Sequence, residues 1–340
     1  MGVPFHVCKE SLDLAVDDLF DADPQIQAVG IARHENAFGF KAVKNTAKIV
    51  ANAAASHAKR IPKTIKKVPV VIDSVTSDIE PHLMTPHPLA ASFIPEQQQH
   101  RPLACGLQVQ NVDDDDRQRQ AGALGQNLII IGTLGCFVRR VSGQVAVLSN
   151  NHVLAGENRG QKGTDRILQP GNLTFAANQH IATLTDFVVL QPSPANARPA
   201  KGNVVYNSVD AAVADVEQSI PFTQAFLPTR SLPGPHGTAS PKVGDRVFKV
   251  GRTTGLTHGT ITAVGIVVGP IAYDPGNCWF NQQFEIVGDN GILFSDHGDS
   301  GSVIVSTTGE VIGLLYAGNG TQTYACPIDK VLIDLNCSLV

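Results

Sequence analysis

The chain has 340 residues, of which 43% are hydrophobic and 16% are charged. This composition excludes an intrinsically disordered protein, and the length suits two globular units. A net charge of −4 does not require a nucleic acid or an anionic membrane as partner. No apolar run approaches the roughly 20 residues that cross a bilayer, so we expect no membrane-spanning helix. Frequent glycine and proline favour short strands and turns.

Cysteine spacing and the first residues indicate a compartment. The six cysteines lack CxxC spacing, which argues against a zinc cluster or a dithiol redox motif and favours reduced, mostly buried thiols. Residues 1–20 contain no basic region followed by an apolar stretch and a cleavage site, so we expect a cytoplasmic protein. The cysteines are Cys8, Cys105, Cys136, Cys278, Cys326 and Cys337.

Residues 1–84 predict a small α/β module. Apolar residues recur at helical spacing in its first segment, and Val, Ile and Phe alternate with small or polar residues in the next two. An alanine-rich stretch then favours helix until Pro62 ends it. The predicted elements are a helix at 11–20, strands at 26–32 and 37–44 that pair as a hairpin, a helix at 45–59 and a strand at 68–72.

One stretch of this module is strongly basic. Residues 41–67 carry eight Lys or Arg and no acid, whereas residues 10–23 carry six acids. We interpret the basic residues as a solvated face partly balanced by the acidic helix, because no aromatic residues are interleaved to stack on bases. Nucleic-acid binding through this stretch is the weaker hypothesis, which a salt-dependent titration would test.

Residues 85–120 predict a flexible linker. They are rich in Pro, Gln, His and Gly, and within them only residues 103–112 favour a strand. The run Asp113–Asp116 could suggest a metal site, but consecutive carboxylates cannot all point inward. We therefore expect this run to be an exposed, mobile loop.

The remaining residues, 121–340, predict a mainly β domain. Apolar runs of five to eight residues alternate with turn sequences such as VSGQ, DPGN and STTGE. This spacing is typical of a β-barrel or a sandwich.

A candidate nucleophile lies in the sequence HGDSGSVIV near the carboxyl end. Ser300 stands in a glycine-flanked turn before an apolar strand, which would expose its hydroxyl. The same turn would present the backbone amides of Gly298 and Ser300 together, as an oxyanion hole requires. The motif therefore predicts acyl-transfer chemistry.

A serine nucleophile needs a base and a group that orients the base. His152 follows the apolar strand 145–148, and Asp210 precedes another strand of small apolar residues. Alone, each is readily explained as a loop histidine or a strand-end cap. The order His, Asp, Ser with these three contexts predicts a catalytic triad of His152, Asp210 and Ser300.

These three motifs, in this order, resemble those of trypsin-like (chymotrypsin-fold) serine proteases, and more specifically those of the narrow-leaf type proteases of plants and their bacterial relatives. Eight motifs carry the resemblance: GTLGCFV (132–138), LSNNHVLA (148–155), ILQPG (167–171), VDAAVA (209–214), KVGRTTGLTHG (249–259), FSDHGDSGS (294–302), GLLYAG (313–318) and YACPI (324–328). It implies a trypsin-like double β-barrel over 121–340, with His152 and Asp210 in the first barrel and Ser300 in the second. AVGIA (28–32) and IPKTIKKVPVVI (61–72) resemble the small domain that precedes the protease in the bacterial relatives. The plant relatives also make a homo-oligomer plausible.

The sequence departs from secreted trypsins in ways that bear on the site. Val153 replaces the disulfide-forming cysteine, and no activation cleavage site is recognisable. Asp299 must then be held by something other than a freed amino group. Leu315 or Tyr316 occupies the position of the serine that supports the catalytic aspartate, so other groups must orient Asp210.

The resemblance also places a substrate pocket. Its walls would be Phe294, Ser295, Asp296 and His297 on one side and Tyr316, Ala317 and Gly318 on the other. Phe294 stands where trypsins carry the acid that pairs with Arg or Lys, which predicts small or medium apolar P1 residues. A two-residue shift of the loop would put Asp296 there and favour basic residues instead.

Five further residues fall near the same strands. Asp186, Asp215 and His258 could be argued into the site, but Asp215 lies five residues after Asp210 and should face the other side of its strand, toward solvent. We expect Arg252 to have a structural role and Cys136 to be a core residue.

The sequence thus predicts an intracellular serine endopeptidase that acts on protein or peptide substrates without a metal or organic cofactor. The alternative is a catalytically silent trypsin-fold scaffold or regulatory binding protein. Covalent labelling of Ser300 by a fluorophosphonate would distinguish the two.

Overall fold

The computed structural model describes residues 3–23, 25–34, 37–45, 62–75, 77–81, 94–123, 125, 129–171 and 177–340. Strands dominate these residues, as predicted. The helices are α1 Phe5–Glu10, α2 Leu12–Ala22, α3 Val112–Gln120, α4 Asn151–Leu154 and α5 Ile328–Asp334. The strands are β1 Ile26–His34, β2 Ala37–Asn45, β3 Thr64–Ile65, β4 Val68–Val75, β5 Glu80–Pro81, β6 Leu103–Cys105, β7 Gln108–Asn111, β8 Ile131–Thr133, β9 Cys136–Arg140, β10 Val145–Ser149, β11 Arg166–Leu168, β12 His180–Phe187, β13 Tyr206–Asn207, β14 Ala212–Val216, β15 Phe222–Phe226, β16 His236–Thr238, β17 Arg246–Gly251, β18 Gly255–Tyr273, β19 Gly276–Gly288, β20 Val303–Ser306, β21 Glu310–Gly318, β22 Gln322–Pro327 and β23 Cys337–Leu339.

Two large sheets organise these strands. The first has the order β23-β9-β10-β14-β12-β11-β7-β8, and all its pairings are antiparallel. In the second, β17, β18, β19, β22, β21 and β20 form a ring, because β18 pairs with both β17 and β19. A ring joins its first and last strands, which is the defining property of a barrel. The predicted mainly β, trypsin-like fold is confirmed.

The amino-terminal strands extend the second sheet. The predicted hairpin is present as β1 and β2, but β1 also pairs with β18 of the ring, and β4 pairs in parallel with β2. Helix α2 covers this extension with its apolar face, where Phe20 packs edge-on against Trp279 at 5.0 Å between ring centroids. The predicted helix at 45–59 lies mostly outside the described residues.

A buried ion pair joins this extension to the ring. Lys41 on β2 donates to Glu285 on β19 at 2.5 Å and pairs with Asp73 at 2.7 Å. Burial alone would lower the pKa of Lys41, but the two carboxylates outweigh it and raise that pKa. One member of the basic stretch is therefore a structural group rather than a solvated one.

The prediction of a mobile loop at Asp113–Asp116 is wrong. These residues lie in helix α3, which Asn111 caps by accepting from the Asp114 amide at 2.9 Å. Asp114 and Asp115 are buried. The carboxylates find cations and donors on other elements, since Arg166 forks onto Asp113 and Arg159 reaches Asp114. The four carboxylates do not converge on a metal site either, because Asp115 accepts from Gln110 and Asp116 pairs with Arg119.

The flexible-linker prediction is also wrong for residues 94–120. Strand β7 inserts between β11 and β8 of the first sheet, and β6 pairs in parallel with β15. The predicted strand 103–112 is broken into β6 and β7 at Gly106, whose φ of +88° suits glycine. Residues 85–93 of the predicted linker lie outside the described residues, and the division into three domains stays a proposal.

All six cysteines are free thiols, and all but the half-buried Cys337 are buried, as predicted. Cys136 is a core residue with no exposed surface. Among the described helices, none is long and apolar enough to cross a membrane.

Buried Asp115 predicts a pH-dependent stability. Burial raises its pKa from 3.8 to about 7, against the opposing effect of hydrogen bonds from Gln110 and the Ile130 amide. The folded chain thus holds this proton more tightly than the unfolded chain, so the free energy of unfolding should fall as pH rises from about 4 to about 7. Asp115→Asn should flatten that fall in denaturant titrations.

Asp116→Asn is the matched control, because Asp116 is a half-exposed neighbour on the same helix. Some slope should remain in Asp115→Asn, since burial also raises the pKa of Glu157 to about 7. Equal slopes in wild type and Asp115→Asn would contradict the assignment.

Candidate active site

The first sheet brings His152 and Asp210 together. Because β10 and β14 are antiparallel and Ser149 pairs with Ala212, the residues after β10 lie beside those before β14. His152 sits in the short helix α4, and its Nδ1 lies 2.5 Å from Asp210 Oδ2. The His152 amide donates to the other carboxylate oxygen at 3.2 Å. Both side chains have no exposed surface.

Tyr273 is the group that sequence reasoning did not find for Asp210. Its hydroxyl, from the end of β18, donates to Asp210 Oδ2 at 3.0 Å. Burial first, and then Asp210, raise the pKa of Tyr273 far above its usual range, so the phenol stays protonated and donates. Asn150 adds a bond from its side-chain amide to the Asp210 carbonyl at 2.7 Å. These contacts fix the carboxylate that orients the imidazole.

The other imidazole nitrogen is available for proton transfer. His152 Nε2 is buried and has no hydrogen-bond partner in the structure as described. With Nδ1 donating to Asp210, Nε2 of the neutral ring is an acceptor. An acceptor nitrogen on an imidazole that a carboxylate orients is what a general base requires.

Ser300 stands in a sharp turn before β20. Gly298 and Gly301 have φ of +94° and +91°, which only glycine adopts without strain. At Gly301 a Cβ would also lie 2.2 Å from the Thr133 carbonyl oxygen. Ser300 Oγ donates to the Tyr316 carbonyl at 3.2 Å, so the hydroxyl points at strand β21.

Strand β8 of the first sheet clamps this turn from the other side. The Thr133 amide donates to the Ser300 carbonyl at 2.8 Å, and the Thr133 hydroxyl donates to the Gly298 carbonyl at 3.0 Å. At Gly132, a Cβ would lie 2.5 Å from Val153 and 3.0 Å from the Ser300 carbonyl oxygen. The neighbour of His152 and the nucleophile candidate therefore meet across Gly132. The site forms where the two sheets touch.

Asp299 is held by groups within the chain. Lys249 on β17 lies 3.3 Å from Asp299 Oδ2, and neither side chain has exposed surface. The Thr254 hydroxyl donates to the same oxygen at 2.7 Å, and the Thr253 amide donates to Oδ1 at 2.8 Å. Burial alone would raise the pKa of Asp299, but Lys249 and these donors lower it. The carboxylate is charged without a freed amino terminus.

The predicted pocket residues are mostly buried. Phe294 is 1% exposed, belongs to the core of the second barrel, and its carbonyl accepts from the Thr257 hydroxyl at 2.6 Å. Ser295 is hydrogen-bonded to Thr323 at 2.6 Å. Asp296 and His297 are half-buried, and the Asp296 amide donates to Asp299 at 3.0 Å. Tyr316, Ala317 and Gly318 are buried on β21.

The remaining candidates contact residues outside the triad. Asp215 pairs with Arg140 at 3.1 Å and is partly exposed, and Asp186 pairs with Lys162 at 2.5 Å. His258 is exposed and lies on β18. Arg252 is structural, as expected, with its Nε donating to Gln108 at 2.7 Å. Within the described residues there is no group of three or more His, Cys, Asp or Glu placed to hold a metal ion.

The chain is similar to several solved protease structures. It is similar to Nocardiopsis protease at 20% identity and a TM-score of 0.45, over 71% of this chain and 99% of that one. It is also similar to Thermobifida fusca protease A at 18% identity and a TM-score of 0.42, over 62% of this chain and 91% of that one.

In sequence, the chain is similar to a particular plant protein. Residues 236–325 match the family described as the Nal1 C-terminal domain. Over 215 residues the chain is 28% identical to the protein NARROW LEAF 1 of Oryza sativa subsp. japonica, which covers 56% of this chain. The match spans 34% of the length of the rice protein.

Tyr273→Phe should slow peptide turnover while leaving the fold intact. It removes a hydrogen bond to a charged group, worth about 1.5 to 3 kcal/mol, so we expect roughly a tenfold to hundredfold fall in kcat. Tyr324→Phe is the matched control, because Tyr324 is also buried and bonds Glu285 instead. Equal rates for the two variants would contradict a positioning role for Tyr273.

Lys249→Met should abolish most activity and destabilise the chain by about 3 to 5 kcal/mol, because it leaves the Asp299 charge buried and unpaired. Adding Asp299→Asn removes that charge and should restore much of the stability in denaturant titrations. Lys330→Met, at an exposed position, is the control for the substitution itself. Full stability and turnover in Lys249→Met would show that the pair does not order the Ser300 turn.

Proposed function

We propose that this chain is a serine endopeptidase in which Ser300, His152 and Asp210 form the catalytic triad. The observation that carries the proposal is the fully buried His152–Asp210 pair, 2.5 Å apart, whose free nitrogen Nε2 has no donor among the described residues. A nucleophile paired with a base, and a base oriented by an acid, is the arrangement that acyl transfer requires. The resemblance of the surrounding motifs to trypsin-like proteases agrees with it.

Each group then has a defined task. Ser300 Oγ leaves the Tyr316 carbonyl, transfers its proton to His152 Nε2 and attacks the scissile carbonyl carbon. The carbonyl oxygen gains the negative charge, which the amides of Gly298 and Ser300 stabilise. Asp210 stabilises the imidazolium, which next protonates the leaving amine as the C–N bond breaks. Water then attacks the acyl-enzyme, His152 takes its proton, and Ser300 is regenerated.

The second candidate, a catalytically silent scaffold, is favoured by one observation. Ser300 and His152 have no exposed surface, and the Ser300 hydroxyl bonds Tyr316 rather than His152. Catalytic hydrogen bonds are often long or poorly aligned without substrate, so the same arrangement is also compatible with an active triad. A cytoplasmic location, a homo-oligomer and a protein or peptide substrate belong to the proposal as well.

Ser300→Ala and His152→Ala should each lower peptide turnover by roughly 10⁴-fold or more, because triad members act as one unit. Ser142→Ala and His258→Ala are the controls, since both residues are exposed and lie outside the triad. Turnover of a peptide library by the purified full chain is the measurement. Retention of most activity in a folded Ser300→Ala chain would contradict the proposal.

Primary specificity follows from the buried Phe294. A cationic P1 side chain beside an aromatic core residue would be buried without a counter-charge, so peptides with Leu or Ala at P1 should be cleaved at least about tenfold faster than matched Arg peptides. A strong Arg preference that Asp296→Ala abolishes would show that Asp296, rather than Phe294, faces the pocket.

A further inference from the structure

The strand next to Ser300 already has a partner. The Tyr316 carbonyl that accepts from Ser300 belongs to β21, which β20 pairs only as far as Leu314. Beyond that point the same sheet is continued by β5, since Ala317 pairs with Pro81 and Gly318 with Glu80. A strand from the amino-terminal part of the chain thus lies against the residues that follow Tyr316.

The pairing of β5 ends one residue from the position on β21 that Ser300 contacts. The pairing is antiparallel and places Pro81 opposite Ala317. Ala317 directly follows Tyr316, whose carbonyl accepts from Ser300. The described part of β5 therefore occupies β21 next to the contact of Ser300.

Side-chain contacts anchor this strand. The Ser77 hydroxyl donates to the Asn319 carbonyl beyond the end of β21. Gln27 on β1 donates to Asp78 at 2.5 Å, and Ile79 is only 3% exposed within the largest core cluster. Three consecutive residues thus hold β5 from both the barrel and its amino-terminal extension.

The backbone pairing itself is short. Only two residues of β5 pair with β21, and Pro81 has no N–H to donate. The position of β5 therefore depends more on the side-chain contacts of Ser77, Asp78 and Ile79 than on its backbone hydrogen bonds to β21. Loss of one anchor should therefore release it without unfolding the barrel.

We propose that Ser77–Pro81 is an autoinhibitory strand that denies peptides the edge of β21 beside Ser300. An extended peptide binds a sheet by pairing with a free edge, and one edge pairs with one strand at a time. The complete burial of Ser300 and His152 agrees with a closed site. This inference rests on the proposed function, because it is access to the nucleophile that the strand controls.

The experiment measures access to Ser300 in the full chain. The rate of covalent labelling by a fluorophosphonate, and the turnover of an extended peptide, are compared for wild type, Ile79→Ala and Asp78→Ala. Ile333→Ala is the matched control, because Ile333 is 70% exposed on α5 and far along the chain from β5. Both loosened variants should be labelled and should turn over peptide about tenfold faster than wild type and the control.

Hydrogen exchange at Ala317 and Gly318, measured by mass spectrometry, reports release of the strand independently of catalysis. Faster exchange with faster labelling supports the proposal. Faster exchange with labelling at the wild-type rate overturns it and leaves the triad standing. Unchanged labelling in both variants without faster exchange also overturns the proposal. The side chains of Asp78 and Ile79 would then not hold β5 on β21, as the proposal requires.

Labelling in no chain at all, including the loosened variants, would instead mean that Ser300 is not a nucleophile. That result overturns the proposed function and the inhibition with it, and it is distinct from the failure of inhibition alone. Thermal unfolding of each variant identifies a misfolded chain, and Asp78→Ala, at a half-buried position, provides the test if Ile79→Ala does not fold.

Discussion

The ion pair between Asp299 and Lys249 joins the Ser300 turn to strand β17 inside the second barrel. A carboxylate with no exposed surface must be neutralised by the protein, and here Lys249, the Thr254 hydroxyl and the backbone amides of Thr253 and Thr254 do so. The fit is close, since a Cβ at Gly251 would lie 2.4 Å from Asp299 Oδ1. Because the turn that positions Ser300 is built around this carboxylate, the geometry of the candidate site depends on the pair.

The rest of the site depends on how the two sheets meet. His152 and Asp210 come from the first sheet, whereas Ser300 and Tyr273 come from the second. Tyr273 bonds Asp210 across this boundary, and Thr133 bonds the Ser300 turn in the opposite direction. The amino-terminal strands are part of the same construction, because the Lys41–Glu285 pair fixes them to the barrel that carries Ser300 and β5 reaches the neighbouring strand.

Local patterns in the sequence were sufficient to predict many of the elements and to propose the triad. The helix near residue 12, the hairpin of β1 and β2 and the β-rich remainder follow from periodicity and turn residues, and the glycine-flanked Ser300 motif carries its own chemistry. The groups that complete the site were not predictable in this way. Tyr273 is 63 residues from Asp210 in sequence, and neither residue has a local signal that names the other. The same holds for Lys249 and Asp299.

The mobile-loop prediction for Asp113–Asp116 is wrong for a related reason. Four consecutive aspartates favour solvent unless cations meet them, and Arg166 lies 53 residues after Asp113. The pairing of β11 with β7 brings Arg166 beside this run, and no local pattern in the sequence predicts that pairing. Mass-spectrometric mapping of the fluorophosphonate adduct on the full chain tests the central claim most directly. The account predicts one adduct, on Ser300, that His152→Ala prevents; an adduct at another residue, or equal labelling of Ser300 without His152, would contradict it.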